Sequence, residues 1–362
     1  MTGWGECIVP KRRAAVVSAV KDMAHNIVGQ DSTRIEHINQ MLRRGAFFRH
    51  GPVLCTASAG IETALWDLLG KRLGVPVSGL LGGAVRDAVR SYTWIGGDSP
   101  ANVVEHARSR INEGFNAVKM NATGVVPAVG ATQWIDLLVE RMGSLRDAFG
   151  MSLDVALDFH GRVARPALKQ VIKELEQFRP MWIEEPCVPE ALESIDMLAR
   201  ICPNIPIATG ERFLNRWEFR RLLERGGVDI IQPDVSITGV YELAKIAHLA
   251  ETFDVSVAPH CPNGPISLAA SLQLGFCTSN IVIQEQSLGL HYNKGYSQLP
   301  EGELKDYLLD ASVLVANEGR INRWNAPGLG LSLDENHIAA AHQEWNLPDA
   351  DWQHEDGSLA EW

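Results

Sequence analysis

VALDFHGR, residues 155 to 162, reads as an apolar strand, Val155 to Leu157, that runs into Asp158, Phe159 and His160 and closes on a turn at Gly161. Side chains alternate along a strand, so Asp158 and His160 leave one strand end on one face. Five later segments share this pattern of a short apolar run closed by one or two polar groups. MWIEEP ends at Glu184 and Glu185, IPIATGE at Glu211, DIIQPD at Asp234, VSVAPH at His260 and IVIQE at Glu285. From Asp158 to Glu184 is 26 residues, and the next steps are 27 to Glu211, 23 to Asp234, 26 to His260 and 25 to Glu285. A repeat of that size is a strand, a loop, a helix and a loop back. The intervening sequence agrees: Leu168, Val171, Ile172, Leu175 and Phe178 fall at helical spacing. So do Leu192, Ile195 and Leu198, and then Leu243, Ile246, Ala247, Ala250 and Phe253. Strands alternating with amphipathic helices give a parallel sheet. Six such units in series predict a β/α barrel, whose site lies at the C-terminal strand ends, where all the polar groups named above would converge.

Working outward, NAVKM at residues 116 to 120 is expected to be the first barrel strand. It delivers Lys119, with Asn121 two positions on. The 39 residues from Lys119 to Asp158 exceed the repeat, and the extra length is read as a loop in TGVVPAVGATQW. A lone lysine is ordinarily a solvated surface residue. Lys119 gains weight from its place at a strand end among carboxylates. Residues 1 to 90 do not follow the period. GWGECIV could form a strand, and residues 11 to 28 and 52 to 73 read as helices, the second through Ala57, Ile61, Ala64, Leu65, Leu68 and Leu69. Gly74, Pro76 and the pair Gly82–Gly83 then mark turns. The expected division is residues 1–90 for the N-terminal part of a capping domain, 91–310 for the barrel and 311–362 for a segment returning to the cap.

The length of 362 residues accommodates a barrel plus a smaller domain. A formal charge of −11 and a pI near 5.5 argue against nucleic-acid binding, which needs a basic patch. No apolar run reaches transmembrane length, and the first residues lack the apolar core of a signal peptide, so a cytoplasmic protein without a membrane partner is expected. Six scattered cysteines with no Cys-x-x-Cys point to a reduced compartment and no zinc site. Cys187 and Cys261 follow two strand ends closely, but small packing residues are the simpler reading of both.

Asp158, Glu184 and Glu211 come from successive strands. Ion pairing or helix capping would account for each singly, since TGER can cap a following helix. Three converging carboxylates, however, repel one another strongly, and a divalent cation removes that cost. All-oxygen ligation favours Mg²⁺ or Mn²⁺. Glu184 and Glu185 face opposite ways, and either could be the middle ligand. Asp234 and His260 end adjacent strands, and a carboxylate beside an imidazole fixes its tautomer and raises its basicity, as a general base requires. His160 and His260 would flank the metal from opposite sides, which favours acid–base work over a packing role.

The stretches LDFHGR, KELEQFRPMWIEEP, IPIATGER, DIIQPDVS, VAPHCPNGPISLAASLQ, IQEQSLGLHYN and WQHEDGSLAEW, together with ALWDLLGKRLGVPVSGLLGG, resemble the enolase superfamily, mandelate racemase subgroup, and within it the D-galactonate dehydratases. The resemblance covers nearly the whole chain. It implies a modified (β/α)7β TIM barrel with an α+β cap built from both chain ends, and one Mg²⁺ per subunit on Asp158, Glu184 and Glu211. By the same resemblance His260, backed by Asp234, takes the proton from C2 of a sugar acid, and His160 protonates the leaving 3-hydroxyl. Glu285 hydrogen-bonds the substrate carboxylate as it becomes an enediolate, Lys119 touches that carboxylate, and Asn121 lines the substrate. The implied setting is a homo-oligomer acting on a small-molecule sugar acid.

Three differences shape the expectation. Racemases of the subgroup carry a Lys-x-Lys pair on the first strand, where this chain has Lys119 and Asn121; with no second base opposite His260, elimination is favoured over racemisation. The segment after Asp234 reads VSITGVYE where the galactonate enzymes have a histidine and two glycines, which leaves D-gluconate or a pentonate as alternative substrates. The chain also begins at GWGE, short of the family's first cap strands and lid. That predicts weak turnover, with a non-catalytic sugar-acid binder as the alternative outside enzymes.

Overall fold

A computed structural model describes residues 1–130, 132–288, 304–340 and 352–361. Eight strands run parallel in it. They are β1 (Ala88–Trp94), β2 (Ala117–Asn121), β3 (Asp154–Asp158), β4 (Ile183–Glu184), β5 (Ile207–Thr209), β6 (Ile230–Ile231), β7 (Ser256–Val257) and β8 (Gln284–Gln286). They pair in the order β7-β6-β5-β4-β3-β2-β1-β8. The ring closes where Val257 of β7 bridges Ile281, just ahead of β8. Seven connections carry the outer helices α5 (Pro100–Asn112), α6 (Gln133–Phe149), α7 (Arg165–Leu175), α8 (Glu193–Ile201), α9 (Arg216–Arg225), α11 (Val240–Glu251) and α12 (Pro265–Cys277), and a single turn, α10 (Val235–Thr238), precedes α11. The result is a (β/α)7β barrel: the repeat predicted a β/α barrel, and the family resemblance its modified form.

Strand periodicity explains how this barrel carries a site. Tyr92, Ala117, Ala156, Trp182, Ala208, Ala258 and Ile283 form an apolar layer in the barrel interior. Two residues further along six of those seven strands stand Trp94, Lys119, Asp158, Glu184, His260 and Glu285. Because the side-chain period is 2, a strand that places one residue in the apolar layer must place the second next residue in the layer above. Four of the seven floor positions are alanines, Ala117, Ala156, Ala208 and Ala258, which leaves room for Tyr92 and Trp182 to meet edge to face at 5.2 Å.

The first barrel strand is β1, ahead of NAVKM, which forms the second strand. The segment AVRSYTW has no charged closing group, so it lacks the signature that marked the other strands. The loop expected in TGVVPAVGATQW leads into α6, whose start at Gln133 takes in the last two residues of that stretch. The N-terminal part is helical, with α1 (Arg13–Ile27), α2 (Ile35–Arg44), α3 (Pro52–Leu73) and α4 (Val77–Leu80). GWGECIV forms no strand. It runs along α3 instead, so close that a Cβ on Gly5 would lie 1.9 Å from the Gly60 carbonyl oxygen. Trp4 N–H donates to Asp67 at 2.9 Å. Beyond the barrel, β9 (Arg320–Asn322) pairs antiparallel with β1, and Leu329 N–H donates to Asp67 of α3 at 2.8 Å before a short helix, α13 (Glu335–Ala340). The part of the IQEQSLGLHYN motif beyond Leu288 and the final Trp362 lie outside the described residues. No helix among the described residues is long and apolar enough to cross a membrane.

Candidate active site

All nine residues singled out from the sequence stand at C-terminal strand ends. Lys119 is fully buried at the centre. Its ammonium bonds to Glu184 Oε1, lies 2.8 Å from Glu285 Oε1 and 3.4 Å from Asp158 Oδ2, and sits 4.7 Å from the centre of the Trp94 ring. Burial opposes the charge, but Glu184 and Glu285 hold Lys119 protonated far beyond its ordinary range. Burial would likewise raise Glu285, yet Lys119 and His260 pull it down to about 2. Glu285 also accepts from Trp94 Nε1 at 2.7 Å and from Cys261 N–H at 2.9 Å.

The two histidines stand on different supports. His260 Nδ1 is 2.8 Å from Asp234 Oδ2, and Asp234 is itself fixed by Ser236 N–H and Oγ at 2.7 Å and by Asn263 Nδ2 at 2.9 Å. That support assigns the Nδ1–H tautomer and turns Nε2 inward, 3.4 Å from Glu211 Oε2. Burial would lower His260, but Glu211, Glu285 and Asp234 push it up to about 10. His160 lies two residues past the end of β3 with φ of +47°. Asp158 Oδ1 accepts its N–H at 3.0 Å, and the ring returns to place Nε2 3.3 Å from Asp158 Oδ2. The ring stacks on Trp94, 8° from parallel with centroids 6.0 Å apart. Burial, then the neighbouring Arg162 and Lys119 cations, hold His160 well below the usual imidazole range.

Asp158, His160 and Glu211 bring ligand atoms within 4.8 Å of one another. Glu211 reaches that point because Gly210 takes a φ of +134°, where a Cβ would lie 2.6 Å from the Phe219 ring. Asp158 Oδ2 and Glu211 Oε2 are buried with no hydrogen bond, as oxygens awaiting a cation would be. Burial raises Glu211 to about 7, only partly offset by His260, and Asp158 adds to the push. The donor set is oxygen-rich, which fits a hard divalent ion. Glu184 faces Lys119 and accepts from Trp182 Nε1 at 2.9 Å. Glu185 turns the other way, to Arg212 Nε at 2.9 Å. Asn121 closes β2 beside Asp158, with its side-chain oxygen buried and without a hydrogen bond.

Three participants escaped the sequence reading. Trp94 ends the strand that the repeat did not reveal. Asn263 sits in the loop after His260, where PNG reads as a turn. Arg212 lies in TGER, where it passes for a helix-capping neighbour of Glu211.

A parallel barrel whose strand ends gather carboxylates, a central lysine and two differently supported imidazoles offers acid–base groups around one anion-sized mouth. The chain belongs to the mandelate racemase/muconate lactonizing enzyme family of the enolase superfamily. Residues 1–82 match the N-terminal domain model of that family, and residues 102–337 match the enolase C-terminal domain-like model. The D-galactonate dehydratase of Ralstonia pickettii (strain 12J) is 44% identical over 366 aligned positions, covering 100% of this chain and 94% of that protein. The D-galactonate dehydratase of Cronobacter sakazakii is 43% identical with the same coverage. Among solved structures, an enolase from Agrobacterium radiobacter, proposed to be a galactarate dehydratase and holding sodium and L-malate, superimposes with a TM-score of 0.88 at 31% identity, covering 100% of this chain and 93% of that one.

Proposed function

We propose that this protein is a Mg²⁺-dependent hydro-lyase that converts an aldonate, D-galactonate first, to the 2-dehydro-3-deoxy acid and water. The observation that carries the reading is the pair of histidines at one carboxylate cluster, His260 with Asp234 behind its Nδ1 and His160 with Nε2 at Asp158. The choice of D-galactonate rests on the full-length relatives of that name at 42–44% identity. Its alternative is another sugar acid, favoured by the structural likeness to the proposed galactarate enzyme.

In this reading His260 Nε2 accepts the C2 proton, because Asp234 occupies Nδ1 and leaves that nitrogen facing inward. The proton that Glu211 favours on it would be given up once Glu211 is neutralised by a bound cation. The C2–H electron pair moves toward the substrate carboxylate, which becomes an enediolate. Lys119 supplies fixed positive charge beside that carboxylate. Glu285, kept ionised by Lys119 and His260, holds the ammonium in place at 2.8 Å and would hydrogen-bond the substrate only after taking a proton. Fixed charge of this kind acts most strongly on charge that develops only in the transition state. His160, which burial and the Arg162 charge keep neutral at rest, takes up a proton as the anionic substrate binds. It gives that proton from Nε2 to the 3-hydroxyl as the C3–O bond breaks, and the released enol becomes the 2-keto-3-deoxy acid. Asp158, Glu184 and Glu211 would hold the Mg²⁺, which supplies Lewis-acid stabilisation of the enediolate.

Metal dependence tests the reading. The purified chain should form 2-keto acid from D-galactonate with added Mg²⁺ and lose that activity in excess chelator. Glu211→Gln should weaken Mg²⁺ binding and abolish turnover. Undiminished activity in chelator would remove the metal from the account.

A further inference from the structure

Arg212 has no part in the proton transfers above, yet its guanidinium is shared by the loops that follow three successive strands. Nε donates to Glu185 Oε1 at 2.9 Å, in the loop after β4. Nη2 donates to the carbonyl oxygen of His160 at 3.2 Å, after β3. Arg212 itself follows β5. Its third arm, Nη1, donates to Glu361 Oε1 at 3.2 Å, close to the C-terminus. Both His160 and Glu185 hold left-handed backbones, with φ of +47° and +42°. Non-glycine residues stay in that region only where their surroundings enforce it. Arg212 touches both, and Gly161 N–H donates to Glu185 O at 2.8 Å between the two turns.

The C-terminal segment approaches the same turn a second time. The Arg162 guanidinium lies 4.4 Å from the centre of the Trp352 ring and donates to Thr123 O at 2.9 Å. Residues 352–361 fold back on themselves, with Ala360 N–H donating to Trp352 O at 2.8 Å and His354 N–H to Ser358 O at 2.9 Å. The folded-back segment is thus pinned at both ends, Trp352 on Arg162 and Glu361 on Arg212, and the two arginines bracket the backbone of His160.

We propose that Arg212 is a positioning residue for His160, and that docking of the C-terminal segment through Glu361 completes the brace. A planar guanidinium can hold three acceptors in fixed directions, which an ammonium cannot do. Held this way, the His160 carbonyl fixes the left-handed turn, and the turn keeps Nε2 beside Asp158. The kinetic part of this inference rests on reading His160 as the group that protonates the leaving hydroxyl.

Arg212→Lys keeps the charge and loses the fork. It should lower kcat for dehydration by about ten- to a hundredfold, the scale of a misplaced catalytic group, with KM nearly unchanged. Exchange of the C2 proton with solvent deuterium, which depends on His260, should persist. Glu361→Gln removes one partner at an exposed position and should act in the same direction to a smaller extent. Amide hydrogen exchange should quicken in residues 158–162 of both variants, a readout that needs no substrate. Parallel loss of dehydration and C2 exchange would show that Arg212 serves the whole site rather than His160, and would overturn the proposal. So would unchanged amide exchange at residues 158–162. If Arg212→Lys fails to fold, Glu361→Gln decides by the same two readouts. If the parent chain turns over no aldonate, the dehydration reading falls by itself, and amide exchange alone decides the brace.

Discussion

His260 and His160 differ in what holds them, and their substitutions should separate accordingly. His260 takes its tautomer from Asp234, which Ser236 and Asn263 fix in turn. His160 takes its place from a left-handed turn and from Asp158. His260→Asn removes the base and should slow solvent-deuterium exchange at C2 of the substrate by about 10²- to 10⁴-fold. His160→Asn should stop elimination and leave C2 exchange measurable by NMR. Exchange at the parent rate in His260→Asn would reverse the assignments. The residues at strand ends were legible in the sequence because a charged side chain closing an apolar run is conspicuous. The convergence of Asp158 and His160 was also legible from strand alternation, although the strand ends at Asp158 and a positive φ brings the imidazole back. Trp94 was not legible, because an aromatic residue at the end of AVRSYTW looks like core. Arg212 was not legible because its three partners lie in three other segments.

Among the elements, the N-terminal part and the barrel meet through carboxylates placed at helix N-termini. Glu6 accepts the N–H groups of Gly264 and Ser267 at 2.7 and 2.8 Å and so caps α12 from outside the helix. Glu62 of α3 accepts Tyr241 N–H at 2.8 Å in the first turn of α11, and Trp66 Nε1 at 2.7 Å. Orphan N–H groups and the positive end of the helix dipole favour an acceptor there. Burial nevertheless raises Glu62 to about 7, more than the hydrogen bond from Tyr241 and the Arg43 charge can offset. The folded state therefore binds a proton that the unfolded chain has released above pH 4.5. This contribution is fully present below about pH 4.5 and is lost as pH rises through 7. Glu62→Gln keeps the acceptor and removes the titration. Between pH 5 and 8 the parent should lose more stability in urea than the variant, by on the order of 3 kcal/mol. Equal losses would show that Glu62 does not titrate there. These cross-segment caps were not legible, since nothing in GWGECIV or IETALW indicates which distant helix will need an acceptor. From β3 onward the barrel strands were legible because a 25-residue period with a polar stop is set by the strand–helix unit itself. The helix at Ile35–Arg44 is short and partly exposed, and it left no such trace.

Taken as a whole, the molecule is a closed barrel whose interior changes character in one step of two residues, from an apolar floor to a charged mouth. That step explains why so many buried charges are tolerated: each stands on a strand that the floor already fixes, and most have a partner within hydrogen-bonding reach. The helical N-terminal part and the segment after β8 flank this barrel and meet at Asp67, which receives Trp4 N–H and Leu329 N–H from the two ends of the chain. The central claim is that one mouth removes a proton from C2 and expels the 3-hydroxyl of the same sugar acid. The most direct test is to follow D-galactonate with the protein and Mg²⁺ in deuterated water by ¹H NMR. The C2–H signal should disappear as the signals of a 2-keto-3-deoxy acid grow, with no such change in His260→Asn. An unchanged spectrum with D-galactonate, repeated with D-gluconate, a pentonate and galactarate, would contradict it.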